Sequence, residues 1–248
     1  NCVYLLHTMF PTQKLEDYSQ EQHATWNFLY DRQKAHLQGK ASQLYLDMLD
    51  SMSDTLTRTS IPMVEDMALQ LKKTTGWSIE IVPGLIPPSE FFQLLSQKKF
   101  CTSTWVRRKD QVDYIEEPDM FHDTFGHIPP LMNADFGSFM HRFGEVGTAL
   151  SKAGRSFQVT QLQRLYWFFV EFGFIREEGE AKLFGAGIMS SYGETTHAWE
   201  SRNDLKVFNL AEVMSTPFQA DVIQNKYYIL DSIPELEREL NNWFERTI

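Results

Sequence analysis

The sequence predicts a mostly α-helical domain with a few short β-strands. Three observations lead to this class: apolar residues recur at helical spacing over long stretches, the alternating β-rich segments are short, and the 248 residues are 42% apolar and 14% aromatic. This composition is ample for one large hydrophobic core and excludes a disordered chain. Residues 1–248 are therefore interpreted as a single domain, with residues 1–15 as an irregular N-terminal segment.

The first third of the chain is predicted to contain three helices. Apolar residues follow helical spacing over 26–30 and again over 44–49. A third helix is expected after Ser60, which is placed to cap it, with Pro62 in its first turn and its end near Gly76.

Two short strands and one helix are expected next. Residues 77–82 and 100–106 have the alternation and β-rich composition of strands, and a helix over 89–96 connects them. Residues 219–230 are also rich in β-formers and predict a late strand.

The remainder of the chain is predicted to be helical. Pro118 can open a helix that Gly126 and Pro129 close. Helical spacing continues over 140–150, an aromatic helix is expected over 161–174, and the last helix over 234–244.

Charge and cysteine content exclude several classes of function. The 23 basic and 33 acidic residues give a net charge of −10, which argues against a nucleic-acid or anionic-membrane partner. With only Cys2 and Cys101, the chain has neither a disulfide framework nor a four-cysteine zinc site. No secretory signal or membrane span is recognised, so a cytoplasmic protein is expected.

His122 and His127 are candidate metal ligands. Their spacing of five rotates the second imidazole by about 140° from the first on a regular helix. Both can then reach one metal only if the helix ends between them, which Gly126 and Pro129 would allow. The alternatives are two structural histidines and a zinc hydrolase with a third ligand elsewhere.

Glu171 is the candidate third ligand, because it lies inside the aromatic run YWFFVEFGF of residues 166–174. A carboxylate there is costly to bury unless it is paired or bound to a metal. The alternative is a helix-surface glutamate between two packing partners. Two histidines and one carboxylate form a facial triad, which suits Fe(II), although zinc also accepts these donors.

Three motifs together resemble the pterin-dependent aromatic amino acid hydroxylases. They are PDMFHDTFGHIP at 118–129, YWFFVEFG at 166–173 and GAGIMSSYGE at 185–194. The similarity runs from about residue 77 to residue 232, while the first 60 residues are only loosely similar. It is strongest to the short bacterial members that hydroxylate phenylalanine.

The resemblance implies an iron monooxygenase with a tetrahydrobiopterin-type cofactor and O2 as co-substrate. It assigns the iron to His122, His127 and Glu171. The positions expected to contact the pterin are Gly84, Leu85, Ile86, Phe91 and Asp123. Phe91 would stack on the pterin ring, although the sequence alone reads it as an ordinary core aromatic. Many animal members carry Glu in place of Asp123, so its pterin contact is expected to run through water.

The resemblance also predicts a substrate site for a free aromatic amino acid. Its expected residues are Arg107, Pro118, Trp167, Ser190 and Glu194. Arg107 would hold the carboxylate, with Arg108 as its rival, and Ser190 and Glu194 would orient the arginine and the substrate. Animal members carry Thr in place of Ile115.

Phenylalanine is the predicted substrate. The position where tyrosine hydroxylases carry an acidic residue falls on Ala220, and on a strand its neighbour Asp221 would point away from the pocket. Tryptophan and tyrosine remain alternatives, and a zinc hydrolase or a non-catalytic binding protein are the rivals from other classes. The resemblance to short bacterial members predicts a monomer.

Overall fold

The computed structural model describes residues 12–113, 115, 117–220 and 222–247, and it confirms the mostly helical class. The α-helices are α1 (Gln20–Leu37), α2 (Gln43–Ser51), α3 (Val64–Thr74), α4 (Pro88–Ser96), α5 (Ala134–Lys152), α6 (Ser156–Leu165), α7 (Ala186–Met189), α8 (Tyr192–Glu200), α9 (Leu210–Ser215) and α10 (Ile233–Glu245). Short 3-10 turns are Leu15–Asp17, Lys109–Gln111, Pro129–Met132 and Ser201–Asp204. One hydrophobic core extends from Trp26 to Leu240.

The six strands form two small sheets. They are β1 (Ser78–Ile81), β2 (Lys99–Thr102), β3 (Phe174–Glu177), β4 (Glu180–Leu183), β5 (Lys206–Val207) and β6 (Tyr228–Leu230). β1 and β2 pair in parallel, and the other sheet has the order β4-β3-β6-β5 with only β3 and β4 antiparallel. The parallel pair is connected through α4, as parallel strands need a crossover.

Two predicted details at the N-terminal side differ in the structure. Helix α3 begins at Val64 rather than after Ser60, whose carbonyl and hydroxyl contact the Thr57 hydroxyl instead. The acidic residues Glu65 and Asp66 occupy the first turn of α3, where they favour the positive end of the helix dipole. Of the expected irregular segment, residues 1–11 lie outside the described range, and Leu15–Asp17 is a 3-10 turn.

The late β-rich segment is shorter as a strand than predicted. Only Tyr228–Leu230 is a strand, while Ala220 lies in a bend. The prediction that a strand runs through Ala220 and turns the Asp221 side chain away from the pocket was therefore wrong about the strand. Asp221 itself lies outside the described residues. Hydrogen bonds from side chains, described below, hold this segment in place of a sheet ladder.

The motifs at 118–129 and 166–173 each contain a π-helical turn, which was not predicted from the sequence. The turns are His122–His127 and Tyr166–Glu171. The expectation that a helix ends between the two histidines was wrong, because i→i+5 hydrogen bonding places residues five apart one above the other. Gly126 is not in the left-handed conformation, and it serves a close approach instead: a Cβ there would lie 2.8 Å from the Ala186 carbonyl oxygen.

Helix α4 packs closely against α5. A Cβ on Gly147 of α5 would lie 2.2 Å from the Phe92 ring, so only glycine allows this packing. Phe92 is buried, and its neighbour Phe91 faces the cavity described below. Within the described ranges, no helix is long and apolar enough to cross a membrane.

Candidate active site

The structure brings His122, His127 and Glu171 together at the meeting point of the two π-helical turns. The Nε2 atom of His127 lies 3.1 Å from His122 Nε2 and 3.1 Å from a Glu171 carboxylate oxygen, and His122 Nε2 lies 3.8 Å from the other oxygen. Donor atoms about 2.1 Å from one metal ion and at right angles around it would be about 3 Å apart. The three donors therefore fit one face of a single metal ion.

The hydrogen bonds of Ser190 set the tautomer of His122. The Ser190 hydroxyl donates to the Ala186 carbonyl at 2.8 Å, so it must accept from His122 Nδ1, also at 2.8 Å. With the proton on Nδ1, the Nε2 lone pair is free to face a metal, as in most histidine-metal sites. The predicted role of Ser190 in orienting the arginine and the substrate stays a prediction, and its hydroxyl contacts His122 and Ala186 in the structure.

The electrostatics of the site favour metal-binding protonation states. Burial lowers the pKa of His122 to about 4, which keeps the imidazole neutral at pH 7. Burial raises the pKa of the Glu171 carboxyl, but attraction to His127 and His122 outweighs that effect and the pKa lies below its ordinary value. His122 therefore presents a neutral imidazole and Glu171 an ionised carboxylate at pH 7.

Asp119 contacts both Arg107 and His122, and no role was predicted for it from the sequence. Its carboxylate accepts from Arg107 Nε at 2.9 Å, from Nη2 at 2.8 Å and from the Arg107 backbone N–H at 3.0 Å. It also accepts from the His122 backbone N–H at 3.0 Å. Burial raises the Asp119 pKa, but the Arg107 guanidinium more than offsets this and holds the pKa below its ordinary range. In the sequence, the only indication of a role for Asp119 was its position three residues before His122, directly after Pro118.

Of the two neighbouring arginines, Arg107 is buried beside a cavity and Arg108 is exposed. Arg107 is 4% exposed and lines the larger of two cavities, whereas the Arg108 side chain is 71% exposed and pairs with Asp110. The Glu194 carboxylate accepts from the Tyr227 hydroxyl at 3.2 Å and from the Gln224 backbone N–H at 3.4 Å. Arg107 is held by Asp119, and the role of Glu194 in orienting the arginine and the substrate stays a prediction.

The expected pterin residues line one cavity of about 340 Å³ beside the metal-ligand set. They are Gly84, Leu85, Ile86, Phe91 and Asp123. Phe91 is packed edge-on against Phe100 and Tyr166, which fixes its ring. The Asp123 carboxylate accepts from the Ser103 backbone N–H at 2.8 Å. Burial raises the pKa of Asp123 to about 7.

The expected substrate residues line a second cavity of about 630 Å³. They are Arg107, Pro118, Trp167, Ser190 and Glu194, and Ile115 and Ala220 lie on the same wall. Both cavities include His122 and Glu171. Two molecules bound in the two cavities would therefore meet at the metal-ligand set.

Gln224 is a second residue that sequence reasoning missed. Its side chain, 6% exposed, accepts from Trp167 Nε1 at 2.9 Å and donates to the carbonyls of Gln219 and Val222 at 2.9 and 2.8 Å. Phe218 stacks on the Trp167 indole with ring centroids 4.4 Å apart. The segment that contains Ala220 is thus held against Trp167 by hydrogen bonding and ring stacking. No residue spacing in the sequence predicted these contacts.

Comparisons with known proteins agree with this arrangement. Residues 11–248 match the model of the family described as biopterin-dependent aromatic amino acid hydroxylase. The phenylalanine-4-hydroxylase of Ralstonia nicotianae is 40% identical over 90% of this chain and 70% of its own length. A tyrosine 3-monooxygenase of Canis lupus familiaris is 30% identical over 93% of the chain and 46% of its own length.

A solved structure shows the same fold with ligands bound. It is the phenylalanine hydroxylase of Chromobacterium violaceum with iron(III) and 7,8-dihydrobiopterin, at a TM-score of 0.85 and 34% identity. The match covers 96% of this chain and 85% of that chain. Fold, motif order and family match agree, and the chain belongs to the biopterin-dependent aromatic amino acid hydroxylase family.

Proposed function

We propose that the protein hydroxylates the aromatic ring of free phenylalanine, with Fe(II), a tetrahydrobiopterin-type cofactor and O2. The observation that carries this is the His122, His127 and Glu171 set at the wall shared by two cavities. A facial triad of these residues would leave coordination positions of the metal open for O2 and for ligands derived from the substrate. The donor set alone also accepts zinc, but membership of a biopterin-dependent hydroxylase family favours iron over a zinc hydrolase.

Each cavity has one assigned occupant in this proposal. The pterin occupies the cavity of Gly84, Leu85, Ile86, Phe91 and Asp123, with its ring on Phe91. When bound, iron supplies O2 activation, with electrons from the reduced pterin. The backbone of residues 84–86 contacts the pterin directly, Asp123 contacts it through a water molecule, and the apolar walls exclude bulk water.

The amino acid occupies the other cavity, with its carboxylate on Arg107. Asp119 uses Nε and Nη2 of the guanidinium and fixes its plane, which leaves Nη1 outside the Asp119 bonds. A fixed planar guanidinium binds a carboxylate with defined direction. Pro118 and Trp167 then flank the aromatic ring, while Ser190 and Glu194 act through His122 and Tyr227.

Phenylalanine is proposed over tyrosine and tryptophan on two grounds. Bacterial relatives at 37–40% identity are phenylalanine-4-hydroxylases. In addition, Ala220 and Ile115 on the cavity wall have no polar side-chain atom for a phenolic hydroxyl, which disfavours tyrosine.

The test is anaerobic reconstitution with Fe(II), reduced pterin and equimolar Phe, Tyr and Trp, followed by air and product analysis. Tyrosine formed from phenylalanine, and dependent on both iron and pterin, is the expected product. A higher kcat/KM for Tyr or Trp would refute phenylalanine as the preferred substrate. Turnover by the protein loaded with zinc alone would refute its assignment as an iron- and pterin-dependent monooxygenase.

We also propose one catalytic domain over residues 1–248, acting as a cytoplasmic monomer. The single core supports one domain. Among the described residues, three of the exposed large apolar side chains lie on different helices, Phe28 on α1, Leu69 on α3 and Phe157 on α6, and we take this as support for a monomer. The cysteine content favours a reducing compartment. Light scattering at several concentrations would test the oligomeric state.

A further inference from the structure

The backbone carbonyl of Phe125 lies inside the π-helical turn, two residues before His127. In a helix a carbonyl accepts from the N–H four residues on, or five residues on in a π turn. For Phe125 those residues are Pro129 and Pro130, and neither has an N–H. Phe125 is 0% exposed, so water does not replace the missing donor. A buried carbonyl without a partner is costly.

The donor comes from another helix. Tyr45 of α2, 80 positions away in sequence and 0% exposed, donates its hydroxyl to the Phe125 carbonyl. Its ring also packs against the Phe125 ring, with centroids 6.4 Å apart. Burial raises the Tyr45 pKa well above its ordinary value, so the hydroxyl keeps the proton that it donates.

Helix α2 holds Tyr45 firmly in this place. The Ser42 hydroxyl caps α2 by accepting from the Tyr45 backbone N–H at 3.1 Å. The Ser42 backbone N–H in turn donates to the Leu183 carbonyl at 2.8 Å, which ties the start of α2 to β4. The hydroxyl of Tyr45 is thus presented from a fixed frame.

We propose that Tyr45 is a positioning residue for the metal ligand His127: its hydroxyl satisfies the carbonyl that two prolines leave without a donor. It thereby holds the π-helical turn in the register that places His127 Nε2 3.1 Å from both His122 and Glu171. Without the hydroxyl, the turn relieves the unpaired carbonyl by rotating its peptide groups, and His127 moves with them. The identity of the metal as iron rests on the proposed function, whereas the positioning itself does not.

The test compares Tyr45→Phe with Tyr228→Phe in the full-length protein. Tyr228 is a matched control, because it is also 0% exposed and its hydroxyl bonds the Thr216 hydroxyl at 3.2 Å and Glu212 at 3.1 Å. Metal-free protein is titrated with Co²⁺, following its visible absorption, and with Fe²⁺ under nitrogen. Thermal unfolding of the metal-free proteins is measured in parallel.

We expect Tyr45→Phe to weaken Co²⁺ and Fe²⁺ binding by about tenfold and to change the Co²⁺ spectrum, which is the scale seen when a supporting contact of a metal ligand is lost. Tyr228→Phe should lower the unfolding temperature by a similar amount and leave the metal Kd unchanged. An unchanged Kd and spectrum in Tyr45→Phe, with only the loss of stability, would overturn the proposal. Absent hydroxylation by a wild-type protein that binds metal normally would refute the proposed function and leave this inference intact.

Discussion

The two π-helical turns and the 217–227 segment border the same cavity, yet the chain holds them in different ways. The turns, His122–His127 and Tyr166–Glu171, are held by helical backbone hydrogen bonds and by buried side chains around them. The described residues of 217–227 have no strand or helix, and the Gln224 side chain holds them through Trp167 and two carbonyls. The proposed metal-binding side is thus held by helical backbone hydrogen bonds together with buried side chains, and the proposed substrate side by side-chain contacts alone, which are easier to alter.

The largest effect is expected on the metal-binding side. His122→Ala, His127→Ala or Glu171→Ala each should abolish iron retention and hydroxylation, because two donors do not form a facial triad. Metal content, activity and circular dichroism are measured together, and the fold should persist. A variant with full iron content and normal turnover would remove that residue from the ligand set.

A pH experiment separates two buried groups on the same side. The His122 pKa is lowered to about 4 by burial, so the unfolded chain binds the proton first and stability falls as pH drops from about 6.5 to about 4. The Asp123 pKa is raised to about 7 by burial, so its contribution has the opposite sign: it is present at low pH and is lost as pH rises toward 7. In the metal-free wild type, the effects of His122 and Asp123 on the change of unfolding free energy with pH therefore have opposite signs.

The variant Asp123→Asn removes the part of the pH dependence of unfolding that comes from Asp123. Its metal-free form should gain up to about 3 kcal/mol of unfolding free energy from pH 4 to 6.5, relative to the change in wild type. Urea unfolding at several pH values measures this. Parallel curves for the two proteins would show that the burial of Asp123 has no such cost.

On the substrate side, Arg107→Lys should raise the KM for the amino acid by about tenfold to a hundredfold, since an ammonium cannot keep both Asp119 bonds and a directed carboxylate contact. Metal content should stay unchanged, unlike in the ligand variants. Arg108→Lys is the control, because that side chain is exposed and pairs with Asp110. Equal KM values for the two variants would contradict the assignment of Arg107.

The smallest effect should come from Gln224→Leu. It leaves Trp167 Nε1 and two carbonyls without their partner, which loosens the wall of the substrate cavity. We expect kcat/KM to fall by about fivefold and less amino acid to be hydroxylated per pterin oxidised, with metal affinity unchanged. The exposed Gln219→Leu in the same segment is the control. A normal ratio of product to oxidised pterin would show that Gln224 is not needed for positioning.

Much of this arrangement could be predicted from the sequence. Apolar spacing located the helices α1, α2 and α5, because burial of one helix face makes apolar residues recur at helical spacing in the sequence. The motifs brought His122, His127 and Glu171 forward as a set, and the structure places them within reach of one another.

The π-helical turns and the supporting contacts could not be read in the same way. Helical spacing assumes 3.6 residues per turn, so a wider turn between His122 and His127 is invisible to it. The contact of Ser190 with His122 spans 68 positions, and that of Gln224 with Trp167 spans 57. Such contacts depend on tertiary packing, which leaves no periodic signal.

The carboxylate of Asp119 has a consequence for attempts to redesign the enzyme. It bonds both Arg107, the proposed carboxylate-binding residue, and the backbone N–H of His122, a proposed metal ligand, so we expect a substitution there to alter substrate affinity and metal affinity at once. Selection for a new substrate at Asp119 would therefore be confounded by loss of metal. Libraries aimed at a new substrate range are better placed at Ala220, Val222 and Ile223, which border the cavity and do not bond the metal-ligand set.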